Sequence, residues 1–135
     1  MFALEIANRL AAQGVGVLGA TLFIGSQAGI PNQDGPFVTI VETGGTNPAR
    51  RQNNDSGYQR PTAQITSRAK DYSIARSKAA AAYAALGGTD GLYNLTLSSV
   101  FYLSITTRQE PTDIGLDDNE RVQFTFNIDA EKQPS

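Results

Sequence analysis

The chain has 135 residues, of which 40% are hydrophobic, and its 11 basic and 13 acidic residues leave a formal net charge of −2. This length and composition predict one globular domain, and the small net charge gives no global attraction to nucleic acid or membranes. The chain contains neither cysteine nor histidine, which excludes disulfides, thiol catalysis, zinc–thiolate sites and triads with a histidine base. No targeting signal and no stretch of the ~18 apolar residues that span a bilayer is visible, so we expect an intracellular protein.

Apolar periodicity predicts two helices. The first is Phe2–Gln13, where large apolar side chains recur at four-residue spacing and Glu5 is assigned to the opposite, polar face; Gly14 ends it. The second begins after the N-cap residue Asp71 and runs to Leu86 along an alanine-rich apolar stripe.

Strands are predicted where apolar and polar residues alternate between turn-forming residues. They are Thr21–Ile24, Phe37–Glu42, Gln59–Arg68, the segment 101–105 with Phe101, Leu103 and Ile105 facing the core, and Val122–Asp129. One apolar and one polar face per strand is typical of an antiparallel sheet with one covered face. The expected fold class is therefore α+β, a single two-layer domain with a mostly antiparallel sheet of four to five strands packed by two helices.

Two segments fall outside this pattern. Residues 43–57 form a long predicted loop, rich in glycine and asparagine and without a large apolar residue, and loops of this length are usually functional or disordered. We expect residues 1–130 to be the single domain and residues 131–135 to be a flexible C-terminal tail.

Two motifs have alternative interpretations. Gly14–Gly19 matches the G-x-G-x-x-G spacing of dinucleotide-binding loops, but a predicted helix precedes it and a strand follows, the reverse of the order that binds pyrophosphate. The acidic group Asp113, Asp117, Asp118 and Glu120 does not have the spacing of a calcium loop, and it is interpreted as a solvated turn or an acidic contact between subunits. The sequence therefore predicts no catalytic, cofactor-binding or metal-binding residue and no cofactor.

Several short segments follow one another in an order typical of one protein family. They are Leu22–Gly25 before Pro31, Val38–Thr43 before Gly44-Gly45, Tyr58–Pro61, Gln64–Arg68, Asp71-Tyr72 with the alanine-rich helix, Gln109–Pro111 before Ile114-Gly115, and Asp117–Arg121 before Phe124–Asn127. This ordered set, from about Phe2 to Ile128, resembles bacteriophage tail terminators, also described as phage minor capsid or tail completion proteins.

The resemblance implies a non-enzymatic virion protein of a long-tailed phage. Such proteins form a hexameric ring on the head-proximal end of the tail, bind the major tail tube protein, stop its polymerisation and present a surface to the head completion (stopper) protein. Phage DNA would pass through the ring without sequence-specific binding, and no membrane would be involved. Two alternatives stay open: another neck component such as a stopper, and a monomeric protein-binding module.

A closed ring needs two different patches on each subunit. The residues that we expect at this interface are polar or charged, either on the long loop or at the two candidate patches. They are Arg50, Arg51, Asn53, Asn54 and Asp55 on the loop, the arginines Arg60 and Arg68, and the acidic residues Asp113, Asp117, Asp118 and Glu120.

Overall fold

A computed structural model describes residues 2–25, 35–46, 59–117 and 120–133 of the chain. These residues form two helices and seven strands. In chain order they are α1 (Phe2–Ala12), β1 (Leu22–Ile24), β2 (Phe37–Thr46), β3 (Arg60–Ala69), α2 (Tyr72–Ala85), β4 (Leu92–Leu97), β5 (Val100–Thr107), β6 (Thr112–Leu116) and β7 (Val122–Lys132).

All seven strands belong to one mixed sheet with the order β1-β2-β3-β7-β5-β4, and β6 pairs with β7 outside this path. The pair β1–β2 is parallel, and the other pairs are antiparallel. The long strand β7 serves two partners on the same edge: its first part pairs with β6 and its second part with β5. The connection 108–111 between β5 and β6 therefore lies beside the middle of β7.

The sheet is curled into a half-barrel. Helix α1 contacts β1 and β2 and also β4, which are strands from opposite ends of the sheet order. Its apolar residues Phe2, Ile6 and Leu10 are buried as the periodicity predicts. Curling lets one short helix cover both ends of the sheet, which a flat layer of this width would not allow.

The prediction of a two-layer α+β domain with four to five strands is therefore wrong. Two strands were missed, and both lack the apolar alternation on which the prediction rested. In β4, Asn94 has a positive φ of 52° and interrupts the pleat. In β6, all five residues are exposed and a register shift separates Asp113 from Gly115, so hydrogen bonding to β7 rather than burial defines the strand.

Strand β5 also differs from its prediction. A register shift lies between Tyr102 and Ser104, so that Tyr102 and Ile105 are both buried while Leu103 is exposed. An extra residue in one strand reverses which side the following side chains face. The expected core position of Leu103 is wrong for this reason.

Helix α2 matches its prediction closely. The Asp71 carboxylate accepts a hydrogen bond from the Ser73 amide at 2.9 Å, which is a helix N-cap. The small residues Ala75, Ala79 and Ala82 are buried and let the helix lie close to β3 and β7, the two strands it contacts most.

The structure also describes the ends of the two segments that were predicted to be irregular. Strand β2 continues to Thr46, inside the predicted loop 43–57, and β7 continues to Lys132, inside the predicted tail 131–135. Residues 47–57 of the loop and residues 134–135 of the tail lie outside the described residues. The stretch Gly14–Gly19 connects α1 to β1, so the predicted helix-before-strand order is confirmed.

Candidate assembly surfaces

The sheet face away from the helices is polar. Thr66 and Thr125 are direct cross-strand partners with their hydroxyl oxygens 3.3 Å apart, and Thr125 also donates to the Ile65 carbonyl at 3.1 Å. Beside them runs a groove of about 520 Å³ lined largely by hydroxyl, arginine and acidic side chains. Its arginines already have acidic partners: Arg108 binds Asp129 through two nitrogens at 2.7 and 2.9 Å.

The two predicted arginines that the structure describes lie near opposite ends of β3. Arg60 lines this groove, and its Nε lies 3.8 Å from Glu131 Oε1. Arg68 is at the other end of β3, where its guanidinium lies 5.3 Å from the centre of the Phe37 ring. Burial and the nearby positive charge of Arg121 lower the pKa of Arg68, and the charge of Asp117 opposes this shift.

The predicted acidic connection is strand β6 with the turn that leads to β7. Asp117 accepts from Arg121 twice, at 2.9 Å from the amide and at 2.9 Å from Nε, and the Arg121 side chain is buried. Asp113 accepts from the Gly115 amide at 2.8 Å, and Glu120 has a positive φ of 60° in the turn. The structure thus brings Asp117 and Arg68 to one corner of the same chain, next to Arg121.

The remaining predicted interface residues lie outside the described residues. They are Arg50, Arg51, Asn53, Asn54, Asp55 and Asp118. Within the described ranges, no group of three or more acidic side chains is arranged to hold a metal ion. Neither helix in these ranges has the length and apolar character needed to cross a bilayer.

Sequence reasoning missed a buried charged cluster between α1 and the end of β7. Glu5 Oε1 accepts from Lys132 Nζ at 2.9 Å and from the Tyr102 hydroxyl, and all three side chains are buried. Burial raises the pKa of Glu5, whereas the hydrogen bonds from Tyr102 and Lys132 and the positive charge of Lys132 lower it, and the pKa is lowered overall. Burial and the Glu5 carboxylate raise the pKa of Tyr102. The cluster joins α1 to β7 in the interior and is not at an open surface.

Exposed apolar side chains occur on β6, on the connection after α1 and on the first turn of α2, among other places. We call Tyr72, Ile114 and Leu116 the β6 flank, and their exposed fractions are 50%, 50% and 61%. We call Val17, Leu18 and Ile74 the α1 flank, and their exposed fractions are 64%, 42% and 44%. Soluble monomers seldom expose grouped large apolar residues without an interaction to cover them.

A family model described as "Bacteriophage tail terminator protein" matches residues 9–134. The chain belongs to the bacteriophage tail terminator family. The match includes every strand and α2 and begins inside α1, so the resemblance drawn from the short sequence segments is confirmed. No curated protein matches the chain in sequence.

Membership of the tail terminator family makes the chain a structural component of the virion tail that associates with other tail components. The surfaces that matter are therefore those able to bind protein. The polar groove, the β6 flank and the α1 flank are the three such surfaces described above.

Proposed function

We propose that the chain forms a hexameric ring at the head-proximal end of the phage tail tube. The ring binds the major tail tube protein, stops tube polymerisation and joins the tail to the head completion (stopper) protein. Phage DNA passes through it without sequence-specific binding, and the protein acts without enzymatic activity, cofactor or membrane. Subunits assemble in the host cytoplasm and then become part of the virion.

The observation that carries this proposal is the family match over residues 9–134, because it covers almost the whole described fold. The function implied by the family therefore concerns the domain itself and not an appended segment. Two separate exposed apolar groups, the β6 flank and the α1 flank, support a ring, since a cyclic oligomer joins one patch of a subunit to a different patch of the next.

The polar residues expected at this interface remain part of the proposal. Arg60, Asp113 and Glu120 are exposed. Gly45 and Arg60, which lie on the two sides of the segment containing Arg50 and Arg51 in the sequence, line the polar groove. Charged residues at an interface set the register and the association rate more than the affinity. We therefore expect ring assembly to slow as the salt concentration rises.

The proposal is tested by removing the gene for this chain from its phage and examining lysates by electron microscopy. Loss of a tail terminator should give tails of uncontrolled length that do not join heads, and supplying the chain in trans should restore tails of normal length. Tails of normal length without the chain would overturn the proposal. If such tails also failed to join heads, the stopper alternative would be favoured.

A further inference from the structure

Residues 131–133, which we call the β7 end, are joined to β3 by a bridge that is separate from the main ladder. Toward β3, the regular pairing stops at Asp129 and resumes only at an isolated bridge between Gln59 and Lys132. In this bridge the amide of each residue donates to the carbonyl of the other, at 2.8 and 3.0 Å. Pro61 lies in the gap and has no N–H to donate, so the bridge does not continue the ladder directly.

The pairing of the β7 end with β5 is interrupted as well. Tyr102 is the partner of Lys132, and a register shift separates this pair from the next one along β5, at Ser104. Beyond the pair, the Gln133 amide donates to the Phe101 carbonyl at 2.9 Å. Both neighbours of the β7 end therefore break their regular pairing at the same level of the sheet. Such a segment can open locally while the central ladder stays intact.

The side chain of Lys132 ties the β7 end to α1. Its Nζ donates to Glu5 Oε1 at 2.9 Å, and both side chains are buried. If the β7 end opened while α1 stayed in place, the Glu5 carboxylate would remain buried without the ammonium group, which is strongly unfavourable. If α1 opened alone, the ammonium group would be left without the carboxylate. Each half-open state is therefore penalised, and an opening that releases both elements together avoids the penalty.

The bridge also reaches the other face of the sheet. The neighbours of the two bridged residues in the sequence are Arg60 and Glu131. Both line the polar groove, where Arg60 Nε lies 3.8 Å from Glu131 Oε1. The backbone bridge therefore holds these two charged side chains beside each other at one end of the groove.

We propose that the β7 end and α1 form one cooperative unit that opens and closes as a whole, coupled by the buried contact between Glu5 and Lys132. In the closed state the bridge holds the Arg60 end of the polar groove, and in the open state that end and α1 are released together. Because coupling between two sites is reciprocal, whatever fixes the Arg60 end of the groove also stabilises α1. The device is built into a single subunit and does not depend on the proposed ring.

The first test is amide hydrogen exchange of the wild-type chain, followed by nuclear magnetic resonance at neutral pH. The amides of Gln59 and Lys132 report the bridge, those of α1 report the helix, and those of the paired centres of β3 and β7 report global unfolding. The bridge and α1 should share one opening equilibrium within about threefold, and both should open at least about tenfold more often than the ladder, because a local unit opens below the free energy of global unfolding.

The second test breaks the bridge from the side opposite to α1. Gln59→Pro removes the N–H that donates to the Lys132 carbonyl, and α1 amides should then exchange at least about tenfold faster, because the two elements open together. Arg108→Pro is the matched control, since the Arg108 amide donates to the β7 carbonyl of Asn127 at 2.8 Å; it should leave α1 exchange within about threefold of wild type.

The coupling itself is tested in a background without the two charges. In Glu5→Gln/Lys132→Met, the added change Gln59→Pro should alter α1 exchange by less than about threefold, because no buried charge penalises separate opening. Circular dichroism checks that each variant is folded, and the wild-type measurement decides the question even where a proline variant is not.

Three results would overturn the inference. The first is a wild-type α1 that exchanges only with the ladder, or with an opening equilibrium clearly different from that of the bridge. The second is an effect of Gln59→Pro that stays confined to the bridge amides. The third is an effect on α1 that is equally large with and without the two charges. None of these measurements uses tail length, which is the readout that tests the proposed function.

Discussion

The buried cluster of Glu5, Tyr102 and Lys132 allows a quantitative test of how the first helix is held against the last strand. The variant Lys132→Met removes the ammonium group and leaves the Glu5 carboxylate in a site where only 4% of the residue is exposed. The variant Glu5→Gln removes the carboxylate instead. Combining both changes leaves two neutral side chains that are close in size to the original glutamate and lysine. The glutamine oxygen can still accept a hydrogen bond from the Tyr102 hydroxyl.

The expected costs depend on which buried charged group stays in place after its oppositely charged neighbour is removed. Removing one partner of a buried ion pair typically lowers the free energy of unfolding by about 3–5 kcal/mol. For Glu5→Gln the loss is partly offset, because Lys132 Nζ also lies 5.8 and 5.6 Å from the ring centres of Phe2 and Tyr102, and cation–π contacts of buried groups are worth about 2 kcal/mol. We expect Lys132→Met to cost most, and the double variant to cost less than either single variant.

The measurement is urea and thermal unfolding of the four proteins at neutral pH, monitored by circular dichroism. For a domain of this size, a loss of 3 kcal/mol lowers the midpoint temperature by about 10 °C. If Lys132→Met cost less than about 1 kcal/mol, or if the double variant cost the sum of the two single variants, the cluster would not act as a coupled buried pair.

Three further predictions concern the core, the helix cap and the acid range. Phe126→Ala should lower the free energy of unfolding by about 3–5 kcal/mol, because the side chain is 1% exposed and packs edge-on against Tyr83. Leu103→Ala, at an exposed position, should cost far less. Equal costs of the two variants in urea unfolding would contradict the assigned facing of β5. Asp71→Ala should cost about 1 kcal/mol through loss of the α2 cap, seen as a lower unfolding midpoint, while Asp71→Ser should retain most of it. Because the pKa of Glu5 is lowered in the folded state, the contribution of its carboxylate to the free energy of unfolding is present above the ordinary pKa of 4.5 and is lost as pH falls through the folded pKa. Glu5→Gln should therefore lose less stability than wild type between neutral and acidic pH. Parallel profiles of stability against pH for the two proteins would refute the lowered pKa.

Sequence patterns predicted the elements whose buried side chains recur at regular spacing on one face. Helix α1, helix α2 and strand β7 combine strong periodicity with continuous burial, and all three were found. The pattern could not reveal β6, whose five exposed residues are held by hydrogen bonds to β7, nor the bulge in β5 that exposes Leu103. Both depend on pairing between distant segments, which local periodicity does not contain.

The burial of Glu5 and Lys132 could not be predicted from the sequence for a related reason. A glutamate on an amphipathic helix and a lysine near the end of a chain are normally solvated, so Glu5 was assigned to the polar face and Lys132 to a tail. The one available signal was spacing: Glu5 follows Phe2 by three residues and therefore lies on nearly the same side of the helix. Charge neutralisation by a residue 127 positions away could be recognised only in the folded chain.

The contact between Glu5 and Lys132 also constrains how the protein can be made. Helix α1 is synthesised before β7, and the strand end that contacts Glu5 and pairs with Gln59 is made only when β7 is nearly complete. Until then the sheet lacks the long strand that joins β3 to β5, and the Glu5 carboxylate lacks its hydrogen bond from Lys132. We therefore expect the sheet to be completed only late in synthesis, because β3 and β5 both pair with β7 and are not joined before it is made.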